Sequence, residues 1–199
     1  MPRKHRICEP NLTYHVVSRC IESRDMIDDN FKDILLAIIR KTQEKYNFEL
    51  IHYAILNNHF HFIIRTTPEG PPISRIMQYI KARFAEKYNK IADRNGTFWS
   101  ERYKDVIVEK QDDPDTYLLR LIWYIGYNPV KKRYVTRPEC YKYSSLRCYL
   151  EERHAASVEI TLHQIFLNLG NNYKERIKKF WNWGKSYREQ YTVPTKNPG

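Results

Sequence analysis

The order of strand-like and helix-like segments along the chain predicts an α+β fold built on one antiparallel sheet. Four short segments have the β-branched and aromatic content of strands, and segments with apolar residues at helical spacing follow three of them. Two of the strand-like segments are joined by Asn57-Asn58, and asparagine tolerates the positive φ of a tight turn. With 199 residues, the chain is long enough for one well-buried core and an appendage.

The first half of the chain contains three of the predicted strands and two of the predicted helices. Asp28-Asp29-Asn30 offers side chains that can cap a helix, and the apolar positions after it recur at helical spacing. Several prolines and Gly70 mark a loop between the third strand and a basic helix. We therefore expect strands over 13–20, 48–56 and 59–66 and helices over 31–46 and 73–91.

The second half contains the fourth strand and a well-marked helix. Asp113 can cap that helix, and Pro114 suits its first position. Pro129 disfavours helical backbone at Asn128, so we expect the helix to end there. After it, we expect one short helix within an otherwise irregular stretch, a helix with a Thr/Gln capping box and a glycine stop, and a basic, aromatic helix. These segments are a strand over 106–108, irregular structure over 131–158, and helices over 161–170 and 173–187.

The predicted order β-α-β-β-α-β-α is that of a split βαβ, ferredoxin-like sheet with helices on one face. The strand over 59–66 is central in that arrangement and contains His59-Phe60-His61-Phe62. A strand alternates faces with period two, so both histidines point one way and both phenylalanines point to the opposite face, where a core would hold them. Two imidazoles on one face of a rigid strand are two ready ligands for one metal ion. The alternative is a pair of ordinary surface or core histidines.

The composition favours an anionic partner. The chain has 34 Lys and Arg against 23 Asp and Glu, a formal net charge of +11, which favours nucleic acid ahead of an acidic membrane surface. Aromatic residues make up 14% of the chain and include 16 tyrosines, and bases of single-stranded nucleic acid stack on exposed aromatic rings. Composition alone leaves open a basic, soluble domain with a tyrosine-rich core.

The sequence also favours a cytoplasmic location. The N-terminal residues are charged, no long apolar region follows them, and the apolar runs are too short to span a bilayer. The four cysteines form no CxxC pair, so neither a zinc knuckle nor a redox motif is indicated. We therefore expect reduced thiols and a cytoplasmic protein.

Tyr124 and Asn128 lie four residues apart on the helix that begins near Pro114. They therefore share one helical face, about 40° apart at roughly 100° per residue. If this helix crosses the sheet near the histidines, the Asn128 amide oxygen could complete a site with two imidazoles. Such a site suits Mg²⁺ or Mn²⁺ bound with help from a substrate phosphate, with Zn²⁺ or Co²⁺ as alternatives. Asn128 could instead only end the helix.

The helical tyrosines that compete with Tyr124 as nucleophile are Tyr79, Tyr88, Tyr117 and Tyr127.

Three motifs in order resemble those of one transposase family. His59-Phe60-His61 is similar to the HUH pair of single-tyrosine HUH transposases of the IS200-like superfamily, where U is hydrophobic. Within that superfamily the chain most resembles the REP-associated tyrosine transposases. Residues 124–131, YIGYNPVK, are similar to the subfamily's Tyr-Ile-x-x-Asn-Pro-Val-Lys block, and residues 96–103, GTFWSERY, to its block around Trp-x-x-Arg-Tyr/Phe. The resemblance covers roughly residues 10–150, and it is specific because the motifs occur together.

The resemblance implies a mechanism and a domain organisation. It implies that His59, His61 and Asn128 hold a divalent metal ion, Mg²⁺ or Mn²⁺, and that Tyr124 attacks the scissile phosphate of single-stranded DNA. The products would be a 5′-phosphotyrosine and a free 3′-OH, which can later reseal a strand. We expect an HUH catalytic domain over 1–155 and a basic, aromatic helical extension over 156–199.

The resemblance also implies the substrates, which are imperfect DNA hairpins of REP-like repeats with a short single-stranded guide at the foot. A nucleoid-associated cytoplasmic protein would meet them. Trp99 could contact DNA or fill the core, and the C-terminal basic helix could be a DNA reader or a solvated face. The DNA-binding candidates are Arg75, Lys81, Arg83, Trp99, Arg102, Tyr103, Lys131, Lys178 and Lys179.

Two other functions stay open at the level of sequence. One is a hairpin DNA or RNA binding module that no longer cleaves. The other is an HUH replication initiator or relaxase, although such proteins usually carry further domains after the nuclease. The motifs also fit either a monomer or a homodimer in which the tyrosine helix acts in trans.

Overall fold

The computed structural model describes residues 9–191. Residues 1–8 and 192–199, at the outer ends of the predicted domain and extension, lie outside the described residues. The strands are β1 (Thr13–Arg19), β2 (Phe48–Ile55), β3 (His59–Thr66) and β4 (Lys104–Ile107). The α-helices are α1 (Asp29–Lys45), α2 (Ile73–Ile91), α3 (Pro114–Lys131), α4 (Arg147–Leu150), α5 (Gln164–Leu167) and α6 (Tyr173–Tyr191). Short 3-10 helices span Ile21–Ser23, Val108–Lys110 and Pro138–Cys140.

The four strands form one antiparallel sheet in the order β2-β3-β1-β4. This is the strand order of a ferredoxin-like fold, so the predicted α+β class and the central place of the histidine strand are confirmed. The fourth strand begins at Lys104, earlier than predicted, because Lys104 and Asp105 also pair with β1. It ends at Ile107, because Val108 already belongs to a 3-10 helix. Helices α1 and α2 have the bounds expected from apolar spacing, and the Asp28 side chain caps α1 by accepting a hydrogen bond from the Phe31 backbone N–H.

Helices cover both faces of the sheet, whereas the sequence predicted helices on one face only. On one side, α1 and α2 pack on a cluster that includes Phe60, Phe62 and Ile64 of β3. On the other side, α3 and α6 pack with Ile63 of β3 and with residues of β2. Both β2 and β3 are accordingly buried along almost their whole length. No helix within residues 9–191 has both the length and the apolar character needed to cross a membrane.

The turn between β2 and β3 is built differently from the predicted one. Neither Asn57 nor Asn58 has a positive φ. Their carbonyl groups instead accept hydrogen bonds from Ile27 and Cys20 backbone N–H groups, at 2.7 and 2.8 Å. The Asn58 side chain donates to the Ser23 carbonyl at 3.1 Å. The turn is therefore tied to the segment after β1, which fixes the position of the first residue of β3, His59.

Helix α3 continues through Pro129 and ends at Lys131, so the predicted end at Asn128 was wrong. Proline removes only its own N–H, whose partner would be the carbonyl one turn earlier. The chain beyond it still closes the helix, because the Lys132 N–H donates to the Asn128 carbonyl at 3.0 Å. Asn128 therefore lies inside the last turn of the helix, where it is half-buried.

The region after α4 also differs from its prediction. The helix expected over 161–170 is reduced to α5, because the Thr161 N–H donates to the Leu50 carbonyl of β2 and the His163 side chain caps the helix later. Helix α6 then packs along α3. The indole N–H of Trp123 on α3 donates to the Phe180 carbonyl at 2.9 Å, and Phe180 is fully buried. The C-terminal helix thus completes the second core.

Candidate functional site

Four histidines share the sheet face that α3 covers. His59 and His61 lie on β3, with Ile63 next on the same face. His15 of β1 and His52 of β2 both pair with Ile63 from its two sides, and residues that pair across antiparallel strands point to the same face. The histidine face of the sheet therefore extends over three strands, beyond the two histidines that the sequence motif identified.

In both His59 and His61, one ring nitrogen is hydrogen-bonded within the protein and the other is left for a ligand. His59 Nδ1 lies 2.6 Å from Asn58 Oδ1, and His61 Nδ1 lies 3.0 Å from His15 Nε2. Both Nδ1 atoms are thus engaged with the protein, which leaves the Nε2 atoms as metal donors. The two rings lie 5.0 Å apart between centroids. Imidazole nitrogen is a common ligand of divalent transition-metal ions.

Burial keeps these imidazoles neutral. It lowers the pKa of His59 to about 4, with smaller contributions from the positive charges of Arg19 and Lys132. It also lowers the pKa of His61 well below its ordinary value, with the neighbouring His15 as the next cause. A neutral imidazole is the form that binds a metal ion, so the pair can bind at neutral pH without losing a proton first.

The structure brings Tyr124 to the histidine pair. Its ring lies 6.0 Å from that of His61 between centroids, at an interplanar angle of 88°. The side chain is 36% exposed, so DNA can reach it. The Lys131 ammonium lies 4.5 Å from the centre of the Tyr124 ring. Of the competing helical tyrosines, Tyr127 is buried and stacks on Tyr187 of α6 instead.

Asn128 lies one helical turn after Tyr124, and its orientation suits an oxygen donor. Its side-chain nitrogen donates to the Tyr124 carbonyl at 3.0 Å, which leaves the amide oxygen Oδ1 for another partner. Within residues 9–191, no group of three or more His, Cys, Asp or Glu side chains is arranged to hold a metal ion. The Asn128 amide oxygen therefore stays the predicted third donor beside His59 and His61.

Several of the predicted DNA-binding residues form one surface depression at the start of α2 and the loop before β4. Arg75, Lys81, Arg102 and Tyr103 line it together with uncharged α2 residues. The loop is tied to the end of β1, because the Ser100 N–H donates to the Arg19 carbonyl at 3.0 Å. Arg19 is in turn the register partner of His59. The basic depression is thus connected to the histidine end of the sheet.

The other candidates lie elsewhere. Trp99 packs on Phe60 and Phe84, and its indole N–H donates to the Lys81 carbonyl at 2.9 Å, which is a packing role. Arg83 lies in a separate groove between α1 and α2 and pairs with Glu86 at 2.9 Å. Lys178 and Lys179 are exposed on α6, and Lys131 lies over Tyr124.

Sequence reasoning missed four residues around the histidine pair. Asn58 and His15 bond to the two rings, and the charges of Arg19 and Lys132 act on His59. A signal for two of them was present, because period-two alternation places His15 and Arg19 on one face of the first strand. Strand pairing between β1 and β3 was needed to connect that face to the histidines.

Comparisons with known proteins agree with this architecture. A family model described as "Transposase IS200 like" matches residues 8–118. A curated REP-associated tyrosine transposase from Haemophilus influenzae is 28% identical over 115 residues, which are 53% of this chain and 63% of that relative. The match thus spans less than two thirds of the relative's length.

Two solved structures match this chain. One is a REP-associated tyrosine transposase bound to a REP hairpin, with a TM-score of 0.62 and 19% identity, over 82% of this chain and 94% of the other. The other is a transposase from Deinococcus radiodurans, with a TM-score of 0.42 and 19% identity, over 53% of this chain and 85% of the other. The family match contains His59 and His61 but stops before Tyr124, so the role of that tyrosine depends on the geometry of the site.

Proposed function

Because the chain belongs to the IS200-like transposase family, we propose that it cleaves and rejoins single-stranded DNA through a covalent bond to Tyr124. The proposal depends on the position of Tyr124. Its partly exposed ring lies 6.0 Å from the His61 ring, between centroids, and His59 lies on the same face of the sheet as His61. A nucleophile beside two neutral, buried imidazoles is a combination that supports metal-assisted phosphoryl transfer.

The chemistry follows from the residues in the site. His59, His61 and Asn128 would hold Mg²⁺ or Mn²⁺, which supplies polarisation of the scissile phosphate and offsets negative charge in the transition state. The Tyr124 oxygen forms a bond to phosphorus while the bond from phosphorus to the 3′ oxygen breaks. The phenol proton is lost and the departing oxygen gains one, so the products are a 5′-phosphotyrosine and a 3′-OH. Attack by a 3′-OH on this linkage reverses the step and reseals a strand.

We propose that the substrate is a DNA hairpin with single-stranded flanks, of the REP type. This follows from the family, from the hairpin bound to the solved relative, and from the charge of this chain, +11. The depression lined by Arg75, Lys81 and Arg102 is connected through the Ser100–Arg19 hydrogen bond to the histidine end of the sheet. A DNA substrate places the activity in the cytoplasm, at the nucleoid.

The first experiment tests whether a covalent adduct forms between the protein and DNA. Wild-type protein is incubated with hairpins that carry single-stranded flanks, in Mg²⁺ or Mn²⁺, and analysed by denaturing gel and mass spectrometry. We expect an adduct on Tyr124 that is absent with EDTA, in Tyr124→Phe and in His61→Ala. The matched control is Tyr117→Phe, which removes the hydroxyl of a half-buried tyrosine on the same helix and should retain the adduct.

The outcomes distinguish a DNA-cleaving enzyme from a binding module with the same fold. Hairpins that bind tightly but form no adduct with either metal, in a diverse pool, would favour a non-cleaving binding module. An adduct that persists in Tyr124→Phe would move the nucleophile to another tyrosine.

A second experiment tests the basic depression. Arg102→Ala should weaken hairpin binding and lower the slope of log affinity against log salt by about one, as expected for the loss of one phosphate contact. Anisotropy titrations with a labelled hairpin at several salt concentrations measure both quantities. The control is Arg83→Ala, since Arg83 lies in a different groove and pairs with Glu86. Equal effects of the two substitutions would argue against a specific path through the depression.

A further inference from the structure

Each metal-facing histidine has a hydrogen-bond partner whose role the proposed function leaves open. His59 Nδ1 meets Asn58 Oδ1 at 2.6 Å, and His61 Nδ1 meets His15 Nε2 at 3.0 Å. The hydrogen bond made by one nitrogen of an imidazole decides whether the other nitrogen carries a proton or a lone pair. The partners of the two Nδ1 atoms therefore determine what the two Nε2 atoms can do.

We propose that Asn58 and His15 are positioning residues: Asn58 fixes the tautomer of His59, and His15 can accept the Nδ1 proton of His61, so that both Nε2 lone pairs face the metal position. This inference rests on the proposed function, because it concerns the same metal site. It assigns a role in that site to a residue of β1, which neither the histidine motif nor the tyrosine motif contains.

The orientation of the Asn58 amide is set by its second contact. Its nitrogen Nδ2 donates to the Ser23 carbonyl at 3.1 Å, so its oxygen is the atom that faces His59. An amide oxygen only accepts hydrogen bonds. His59 Nδ1 must therefore carry the proton and donate it, and Nε2 of a neutral ring then carries the lone pair.

The geometry between His15 and His61 is that of an in-plane hydrogen bond. The rings are nearly parallel, with an interplanar angle of 16°, and their centroids are 5.3 Å apart. Because the facing nitrogens are only 3.0 Å apart, the rings meet edge to edge, with the lone pair of one nitrogen directed at the other. Hydrogen bonds are strongest in this direction.

A bond between two imidazoles can be made with the proton on either side. With the proton on His61 Nδ1, His15 accepts and His61 Nε2 is a metal donor. With the proton on His15 Nε2, His61 Nε2 is protonated and cannot bind metal. The two neutral states have the same number of protons. They interconvert when the bridging proton moves from His61 Nδ1 to His15 Nε2 while water takes the proton from His15 Nδ1 and another proton is added at His61 Nε2. His15 therefore accepts from His61 only when its own proton lies on Nδ1. The adjacent strands β1 and β3 hold the rings in place for this exchange.

The test compares two substitutions of His15. His15→Leu removes the acceptor and suits the half-buried strand position, whereas the amide oxygen of His15→Gln can replace Nε2. Titration calorimetry with Mn²⁺ alone should show roughly a 10–100-fold loss of affinity for His15→Leu, the usual effect of losing such a partner. His15→Gln should retain most of the affinity.

A second readout is independent of metal. In metal-free protein with ¹⁵N-labelled histidine, long-range ¹H–¹⁵N spectra report which nitrogen of His61 carries the proton. We expect the Nδ1–H form in wild-type protein and in His15→Gln, and a mixture or the Nε2–H form in His15→Leu. Asn58→Leu should have the same effect on His59 and leave His61 unchanged.

The outcomes distinguish this inference from the proposed function. Unchanged Mn²⁺ affinity and an unchanged His61 tautomer in His15→Leu would overturn the positioning role while leaving the nuclease proposal intact. Wild-type protein that binds no Mn²⁺ would overturn the metal site and this assignment with it. Equal losses in His15→Leu and His15→Gln would show that the ring packs in the sheet without positioning His61.

Discussion

At the scale of single residues, His52 shows what burial does to the histidine face of the sheet. Its side chain is fully buried, and its Nδ1 lies 2.7 Å from Ser145 Oγ. That hydroxyl oxygen also accepts a hydrogen bond from the Tyr53 N–H at 2.9 Å. Burial, followed by the effect of His15, lowers the pKa of His52 to about 3. The folded protein therefore holds this histidine neutral at every pH used for enzymology.

This predicts a loss of stability in mild acid. Unfolded His52 takes up a proton below its ordinary pKa of 6.5, whereas the folded form does so only near 3. The stability that His52 contributes is therefore complete above pH 6.5. It decreases as the pH falls from 6.5 towards 3, by at most about 1.4 kcal/mol per pH unit. In His52→Asn, which can retain the Ser145 contact, we expect a shallower fall. Urea unfolding in EDTA at a series of pH values measures it, and identical slopes for both proteins would contradict the assignment.

Local periodicity was sufficient to group the candidate site residues. Alternation along a strand places His59 with His61, and helical spacing places Tyr124 with Asn128, and both patterns need only a few consecutive residues. The hydrogen-bond partners of the imidazoles could not be found in this way. His15 reaches His61 across a strand pair, and the role of Asn58 depends on its contact with the Ser23 carbonyl.

At the scale of elements, the packing of α6 on α3 determines what lies behind Tyr124. A Cβ atom on Gly184 would lie 2.8 Å from the Trp123 ring. That ring is fully buried, stacks on Phe180 with centroids 4.8 Å apart, and is held by its indole hydrogen bond to the Phe180 carbonyl. The two helices therefore need a residue without a side chain at this contact.

Gly184→Ala should accordingly destabilise the protein. Alanine improves helix propensity by about 1 kcal/mol, but the extra methyl group overpacks a rigid contact at a cost of about 1–3 kcal/mol. We expect a net loss of about 1 kcal/mol in the free energy of unfolding, measured with urea. Asn182→Ala, on the exposed side of the same helix, is the control and should be neutral or stabilising. A gain in Gly184→Ala equal to that control would show that α6 does not press on Trp123.

The elements that sequence reasoning placed wrongly share one cause. Pro129 disfavours helix locally, yet the carbonyl of Asn128 finds its donor in Lys132 and the helix continues. The capping box at Thr161 is also a local signal, and it is overridden because the Thr161 N–H pairs with Leu50 of the sheet. The strands and the first two helices were predictable because local pattern and tertiary contacts agree there.

At the scale of the whole molecule, the site is assembled within one chain. Tyr124 lies beside His61 of the same polypeptide, with ring centroids 6.0 Å apart, so cleavage would need no tyrosine from a partner. Mixing variants tests this. Co-expressed Tyr124→Phe and His61→Ala chains should form no covalent DNA adduct, because neither chain has a complete site. Wild-type chains mixed with either variant serve as the positive control. An adduct recovered on the His61→Ala chain would instead show that the tyrosine acts in trans.

The contact between Trp123 and α6 also has a consequence for the order of events at the ribosome. A nascent chain that has been translated as far as α5 already has both motif histidines and Tyr124. It still lacks the helix that closes the core behind Trp123, the neighbour of that tyrosine. The segment that closes the core behind Trp123 is therefore synthesised after the candidate site residues that it supports. The helix that carries Tyr124 can gain its final packing only once α6 has left the ribosome.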